Sequence, residues 1–274
     1  PLPKPRKASI EQVMSGVEDG QRVEIGGIVR AVVPGKTNLD VEVASGGYRL
    51  HAFPKASDEL DPATLVGAKV RISGTAAASF NAKLRHMRSV VVFVPLREDF
   101  VVEQTENVDP FKEPLSNLTR IAQYRRDLAP GTRVHVKGVV TFHRPGKELF
   151  LEDETGGLHV RTRQADALRP GEVVEAIGFP EFDHFLPVLE DAVFKRMGEA
   201  PGTVKPKRVS VSEIERGLHH ADLITLRGRV LDRSFRRGAT GSDGTVLMLQ
   251  QDDQEGNLVF AAEAATTNRN TALA

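Results

Sequence analysis

The sequence contains no cysteine and no tryptophan, and only two of its 274 residues are tyrosine. Without cysteine, the chain can form neither disulfide bonds nor thiolate metal sites. No apolar run approaches the roughly 18 residues that a membrane-spanning helix needs. A net charge is also lacking, because 37 basic side chains balance 37 acidic ones. Nucleic-acid-binding domains usually carry a basic face, so this composition predicts that nucleic acid is an unlikely partner.

A repeated segment is the most informative feature that the sequence does contain. Pro3–Val29 aligns without a gap on Val204–Val230, and Gly131–Val140 is a third copy of the last part of that segment. The three copies share a glycine at one position, which is Gly27, Gly138 and Gly228. Periods of about 20–50 residues indicate solenoids or propellers. These spacings are larger, so they predict tandem domains of one type.

The repeat also predicts how the chain is organised. The predicted units are a linker over 1–8, a first module over 9–96, a linker over 97–114, a second module over 115–201, and an incomplete third module over 204–274. The Pro-rich start of the chain resembles the junction Gly202–Arg208, which precedes the third copy. We therefore expect the chain to be a fragment of a longer protein, with the third module lacking its fourth and fifth strands.

The second module shows the strand pattern most completely. Its short alternating segments are Arg133–Phe142, Glu148–Asp153, Leu158–Arg163, Glu172–Gly178 and Pro187–Phe194. Gly138 lies inside the first of them, and a glycine in a strand marks a bulge or a sharp bend. Five short strands with a bent first strand fit the OB fold, a small Greek-key barrel. An immunoglobulin-type sandwich has no support, because the tryptophan and the cysteine pair are missing.

Short helices are predicted at the start of each module. Ser9 is followed at the third position by Gln12, and Ser210 by Glu213, as in a capping box. Apolar periodicity over Leu115–Leu128 predicts the corresponding helix of the second module. The predicted fold class is all-β with short helices, built from tandem small five-stranded OB-like barrels.

A family resemblance appears at the second module. The segment Gly131–Val160 (GTRVHVKGVVTFHRPGKELFLEDETGGLHV), with Leu168–Pro180 and Pro187–Gly198, resembles tandem barrel modules in the extracytoplasmic region of bacterial membrane-bound sensor histidine kinases. The resemblance is strongest over 115–201 and weakest over 10–94. It implies a periplasmic part of a longer, membrane-anchored chain that binds an unknown ligand or protein partner. The composition by itself is also compatible with the cytoplasm, and this fragment contains neither a membrane segment nor a kinase motif.

Candidate binding residues lie in two loops of the second module. In OB barrels, the loop between the first two strands and the loop between the last two flank the binding face. Those loops contain the residues that we predict to bind a ligand or partner: Arg144, Lys147, Phe179, Phe182, His184 and Phe185. The alternative is that the phenylalanines close the barrel end or pack against a neighbouring module. We predict no catalytic residues, because no nucleophile–base set or phosphate loop is present.

Metal and cofactor sites are also not predicted. The histidines have no spacing that converges on one ion, and the acidic turn Glu152–Glu154 fits a hairpin turn better than a calcium loop. Two non-enzymatic functions remain open: a sensory, ligand- or partner-binding region of a histidine-kinase-type protein, and a tandem OB-fold nucleic-acid-binding protein. A polysaccharide-binding accessory domain has only the loop aromatics in its favour.

Overall fold

The computed structural model describes residues 2–56, 60–80, 87–105, 109–122, 131–200, 204–237, 243–253 and 256–264. The first module contains two short helices, α1 (Ile10–Met14) and α2 (Pro62–Leu65). Its strands are β1 (Arg6–Lys7), β2 (Arg22–Pro34), β3 (Leu39–Ser45), β4 (Tyr48–Pro54), β5 (Lys69–Phe80), β6 (Met87–Val94) and β7 (Phe100–Gln104).

The first barrel closes because its long strand β2 has two partners. The first half of β2 pairs with β5, and its second half pairs with β3. The strands follow the order β2-β3-β4-β6-β5 and return to β2, with β4 and β6 parallel. This is the strand order of an OB fold. The interior is filled by alternating aliphatic side chains such as Val41, Leu50 and Ile72, all of them buried.

The second module repeats the same closed barrel. Its strands are β8 (Leu115–Ser116), β9 (Val134–Arg144), β10 (Glu148–Glu152), β11 (Gly157–Arg161), β12 (Glu172–Asp183) and β13 (Leu186–Glu199). The order is β9-β10-β11-β13-β12 and back to β9, and β11 and β13 are parallel. The all-β, OB-type fold predicted from the sequence is therefore confirmed.

The third module is described as a helix and two separate sheets. Its elements are β14 (Lys207–Arg208), α3 (Val211–Glu215), β15 (Ile224–Thr225), β16 (Arg229–Arg237), β17 (Asp243–Asp253) and β18 (Gly256–Ala264). β14 pairs with β15, and β16, β17 and β18 form an antiparallel meander. Ala264 pairs with Thr245, and 265–274 lie outside the described residues.

The sequence repeat is visible in the backbone pairing. Arg6 pairs with Val23 in a short parallel bridge, and Lys207 pairs with Ile224 at the same place in the repeat. The capping boxes predicted at Ser9 and Ser210 are both present, each with a reciprocal bond between the serine and the third helical residue. The same local sequence signals therefore produce the same parallel bridge and capped helix at the start of the first and the third module.

Each first strand also carries a β-bulge at one equivalent position. The register between the first and second strands skips Arg30 in the first module, Thr141 in the second and Leu231 in the third. A bulge leaves one residue unpaired, bends the strand and reverses which face the following residues occupy. The first cross-strand pair after the bulge therefore occupies the equivalent sheet position in all three modules.

Three parts of the structure differ from the sequence-based expectation. Residues 97–114 were predicted to be a linker, but β7 pairs with β5, because the buried Phe100 anchors this segment to the first barrel. The helix predicted from Leu115 is replaced by β8 and a short 3₁₀ helix over Leu118–Ala122, and 123–128 lie outside the described residues. Phe179–Pro187 is mostly strand, since β12 and β13 continue to a two-residue turn.

The repeated glycine of the first strand lies at the barrel corner. A Cβ added to Gly27 would lie 2.6 Å from Val43 and 2.7 Å from the carbonyl oxygen of Ala44. At Gly138, the equivalent Cβ would lie 3.0 Å from the Cβ of Leu151. The second strand thus crosses the first too closely for a side chain at Gly27, and at Gly138 a side chain would be tightly packed.

We expect Gly27→Ala to lower the free energy of unfolding by about 1–3 kcal/mol, because the new methyl group overpacks the corner. The neighbouring Gly26→Ala is the matched control. Its Cβ would meet only the carbonyl oxygen of Val70, at an ordinary 3.8 Å. Denaturant unfolding of the two variants measures the difference, and equal stability would contradict the assignment of a crowded corner.

Candidate functional site

The six residues predicted from the sequence fall into two separate places. Phe182 is 48% exposed and Phe185 is 96% exposed, whereas Phe179 is 1% exposed and packs beneath Arg30 of the first barrel. His184 and Phe185 form the turn between β12 and β13, and both have positive φ angles, 47° and 71°. Such angles are rare for a bulky residue and indicate local strain.

Arg144 and Lys147 lie at the other predicted loop, between β9 and β10. Arg144 forms an ion pair with Glu148, at 3.1 Å, and its guanidinium lies 5.6 Å from the centre of the Phe142 ring. Phe182 lines a cleft between the two barrels, and neither Arg144 nor Lys147 lines that cleft. The structure therefore does not combine the two loops into the single pocket that the sequence suggested.

A charged junction joins the first barrel to the second. The bulge residue Arg30 is buried, reaches across to the carboxylate of Glu181, and places its guanidinium 4.0 Å from the centre of the Phe179 ring. Asp191, on the second barrel, has a positive φ angle of 49° and lies 3.7 Å from the Nε of Arg30. An irregularity in β13 thus turns this carboxylate towards the neighbouring barrel.

Glu42 occupies the centre of the same junction. Its carboxylate accepts hydrogen bonds from Arg49, at 2.8 Å, and from Arg163 of the second barrel, at 2.6 Å. Arg49 also bonds Asp191 across the junction, with its Nη1 2.9 Å from Oδ2. Burial by itself would raise the pKa of Glu42, but the hydrogen bonds from Arg163 and Arg49 lower it by more, so its pKa lies below the ordinary value of 4.5.

Beside this junction, the two barrels enclose a cleft of about 850 Å³. Volumes of about 300–1,000 Å³ are typical of ligand sites. Its wall on the first barrel includes Arg49, Lys69 and Gln104, and its wall on the second includes Arg161 and Phe182. The cleft therefore combines cationic, amide and aromatic groups, while the carboxylates of Asp183 and Glu190 hold Arg161 in place.

An aromatic row crosses the outer face of the second barrel. Phe142 on β9 is paired with Phe150 on β10, and Phe150 is paired with His159 on β11. The Phe142 and Phe150 rings meet edge to face at 5.9 Å, and the Phe150 and His159 rings stack at 4.6 Å and 11°. Phe142 is 38% exposed. In OB folds, oligonucleotides and oligosaccharides bind on this face of the second and third strands, beside the loop between the first two strands and the loop between the last two.

A charged row lies next to the aromatic row. Arg144, Glu148 and Arg161 are paired across the same three strands. His159 also contacts Glu148, with Nε2 3.2 Å from Oε2, and this hydrogen bond lowers the pKa of Glu148. Two cations therefore border the rings, and the carboxylate between them stays ionised at neutral pH.

The aromatic row is particular to the second module. At the equivalent positions of the sheet, the first module has Ala31, Glu42 and His51, and the third has Asp232, Met248 and Ala261. The barrel therefore does not need aromatic rings at these positions. Sequence reasoning missed the row because Phe142, Phe150 and His159 are far apart in the sequence. The alternation of β10 and β11 was the available signal.

The described residues form neither a metal site nor a membrane-spanning helix. No group of three or more histidine and carboxylate side chains within that part of the chain could hold a metal ion. No helix there has both the length and the apolarity needed to cross a membrane.

The sequence matches no family model and no curated protein. Among solved structures, the chain is similar to an aspartyl-tRNA synthetase from Entamoeba histolytica (15% identity, TM-score 0.29), covering 37% of this chain and 22% of that one. It is also similar to a murine DNA-binding protein bound to double-stranded DNA (13%, 0.27; 66% and 99% covered) and to fission yeast Pot1 with single-stranded DNA (11%, 0.24; 72% and 90%). The chain spans about a quarter of the synthetases that it matches, 22% and 26%.

These similarities correct one expectation. The composition predicted that nucleic acid is an unlikely partner, and this is contradicted by similar chains that are solved in complex with double-stranded and single-stranded DNA. Identities and TM-scores this low nevertheless carry no argument about what this chain itself binds.

The depressed pKa of Glu42 predicts that acid weakens the junction. A carboxylate whose pKa is lower in the folded state adds stability above its unfolded pKa, and this stability is lost as the pH falls through the folded value. We expect the melting temperature to fall more steeply below about pH 4.5 in the wild type than in Glu42→Gln. At pH 7, the variant should be less stable by about 2 kcal/mol.

Thermal melting between pH 7 and pH 3 measures both effects. Glu215→Gln is the control, because Glu215 is exposed and should leave the pH profile unchanged. If Glu42→Gln and the wild type lost stability in parallel on acidification, the junction would not depend on this carboxylate.

Proposed function

We propose that this chain is a binding protein that holds single-stranded nucleic acid on the outer face of its second barrel. The observation that carries the proposal is the aromatic row of Phe142, Phe150 and His159. This row lies on the face that OB folds use for binding, at positions where the other two modules have no such set. Bases stack on aromatic side chains with about 1–3 kcal/mol each, largely independently of sequence.

The charges around the row support a particular kind of binding. Arg144 and Arg161 lie beside the rings, and Lys147 lies in the adjacent turn. Each phosphate neutralised on a single strand contributes a slope of about −0.7 to the salt dependence of binding. Two or three such contacts give a slope of only about −1.4 to −2.1. Binding should therefore depend mainly on stacking, which is compatible with a chain of zero net charge.

We expect Phe142→Ala to weaken binding of a labelled oligothymidylate by about five- to tenfold, and the double variant with Phe150→Ala to weaken it further, because each loses a stacking surface. Fluorescence anisotropy at several salt concentrations measures affinity and slope together. Phe93→Ala is the matched control, since Phe93 is an exposed ring of the first barrel, stacked on Phe53.

Two results would contradict the proposal. One is the absence of binding at low salt by the wild-type chain. The other is an equal loss of affinity in Phe93→Ala and Phe142→Ala, because the second barrel's row would then have no special part. Thermal melting of each variant verifies that the barrels remain folded.

The tip of the second barrel favours a second candidate function, a sensory region on the extracytoplasmic side of a histidine-kinase-type protein. Phe185 is almost fully exposed in a strained backbone conformation, and such strain accumulates at functional sites. In this alternative, Phe185 anchors a protein partner.

We expect alkaline phosphatase joined after Ala274 of the natural gene to be active in a bacterial host if the region is exported, because this enzyme needs the oxidising periplasm for its disulfide bonds. Alkaline phosphatase joined to a cytoplasmic protein is the control and should be inactive. An inactive fusion, produced in full length, would contradict the sensory candidate and leave the nucleic-acid proposal in place.

A further inference from the structure

One side of the aromatic row, in the direction of the strands, is closed by the third module. Glu152 lies one outward position beyond Phe150 on β10, and its carboxylate accepts a hydrogen bond from the backbone N–H of Leu223, at 3.0 Å. Lys207 forms an ion pair with the same carboxylate, at 3.1 Å. Gly157, the cross-strand partner of Glu152, donates its backbone N–H to the carboxylate of Asp222 in the third module, at 2.7 Å. A strand lying on the rings is therefore blocked on this side.

The opposite side of the row, where the charged row lies, faces the first barrel. Arg161 pairs with Glu148 across β10 and β11, in the charged row beside the rings. The same arginine also lines the cleft of about 850 Å³ between the two barrels. Arg161 therefore belongs to both surfaces, and the path away from the rings leads past its guanidinium into the cleft.

The cleft combines an aromatic ring, cations and carboxylates. Phe182 presents a half-exposed ring, and Lys69 and Arg49 lie on the opposite wall, where Lys69 pairs with Glu103 and Arg49 with Glu42 and Asp191. The carboxylates that also line the cleft are those of Glu181, Asp183 and Glu190. Glycines line part of the first barrel's wall, and Gly46 and Gly47 have open space where a side chain would be. A ligand backbone can approach glycine more closely than any other residue.

We propose that this cleft receives the next nucleotides of the strand whose bases stack on Phe142, Phe150 and His159. The strand passes Arg161, and one further base stacks on Phe182. This inference rests on the proposed function and extends its binding site from one barrel to two.

Oligonucleotide length separates the two proposals. The test uses oligothymidylates of about 4, 8 and 12 nucleotides, within the range of about 4–16 that single OB folds occupy. The shortest oligonucleotide extends little beyond the row, so its binding reports chiefly on the row. We expect the affinity of the wild-type chain to continue rising from the shortest to the longest.

Two phenylalanines of one hairpin supply the matched variants. Phe182 lines the cleft, whereas Phe185 lies at the exposed tip of the same hairpin and does not line it. We expect Phe182→Ala to weaken binding of the 12-nucleotide strand by about tenfold and to leave the shortest strand unaffected. Phe185→Ala should affect neither, and Phe142→Ala should weaken both.

Three other results would overturn the cleft proposal, and only one of them would also overturn the proposed function. An affinity that stops rising at the shortest oligonucleotide overturns the cleft proposal while the proposed function stands. Equal effects of Phe182→Ala and Phe185→Ala on the longest strand overturn it as well. Absence of binding at every length overturns the proposed function, and the cleft proposal with it.

Discussion

The bend and bulge of the first strand are the constraint on which the rest of this structure depends. At Gly27 and Gly138, the first strand passes from one partner strand to another. A side chain would overlap the second strand at Gly27 and would be tightly packed against it at Gly138. The bulge that follows leaves one residue unpaired. Without this corner, the sheet could not close on itself, and neither barrel could hide its aliphatic interior from water.

The bulge residues also connect the barrel to its surroundings. In the first barrel, the bulge residue is Arg30, which reaches the second barrel at Glu181, Asp191 and Phe179. In the second barrel, it is Thr141, and the register after it brings Phe142 opposite Phe150. One irregularity in the backbone thus builds the junction in one module and the aromatic row in the next.

Tandem copies of one fold allow each copy to carry a different surface. The interior positions of both closed barrels are filled by aliphatic residues, as closure requires. The outward positions are free to differ, and they hold a carboxylate at the junction in the first module and aromatic rings in the second. Glu42 in the first module and Phe150 in the second occupy equivalent positions, each opposite the residue that follows the bulge. Glu42 binds the neighbouring barrel, whereas Phe150 belongs to a surface that remains accessible.

The amino-acid sequence by itself determined the features that depend on local patterns. Alternating apolar residues placed the strands of both barrels, the capping serines placed α1 and α3, and the ungapped match of Pro3–Val29 to Val204–Val230 identified the repeat. These features follow from neighbouring residues, because capping bonds and side-chain alternation act over a few positions.

Only the tertiary structure decided which side chains meet. The turn at His184 and Phe185 contains none of the residues that usually form two-residue hairpin turns, so the end of β12 from Phe179 and the start of β13 appeared in the sequence as a loop. Phe142, Phe150 and His159 become neighbours only because a bulge sets the register between separate strands. Glu42 and Arg163 meet only because two barrels pack together. Contacts of this kind depend on the relative placement of whole elements, which no local pattern encodes.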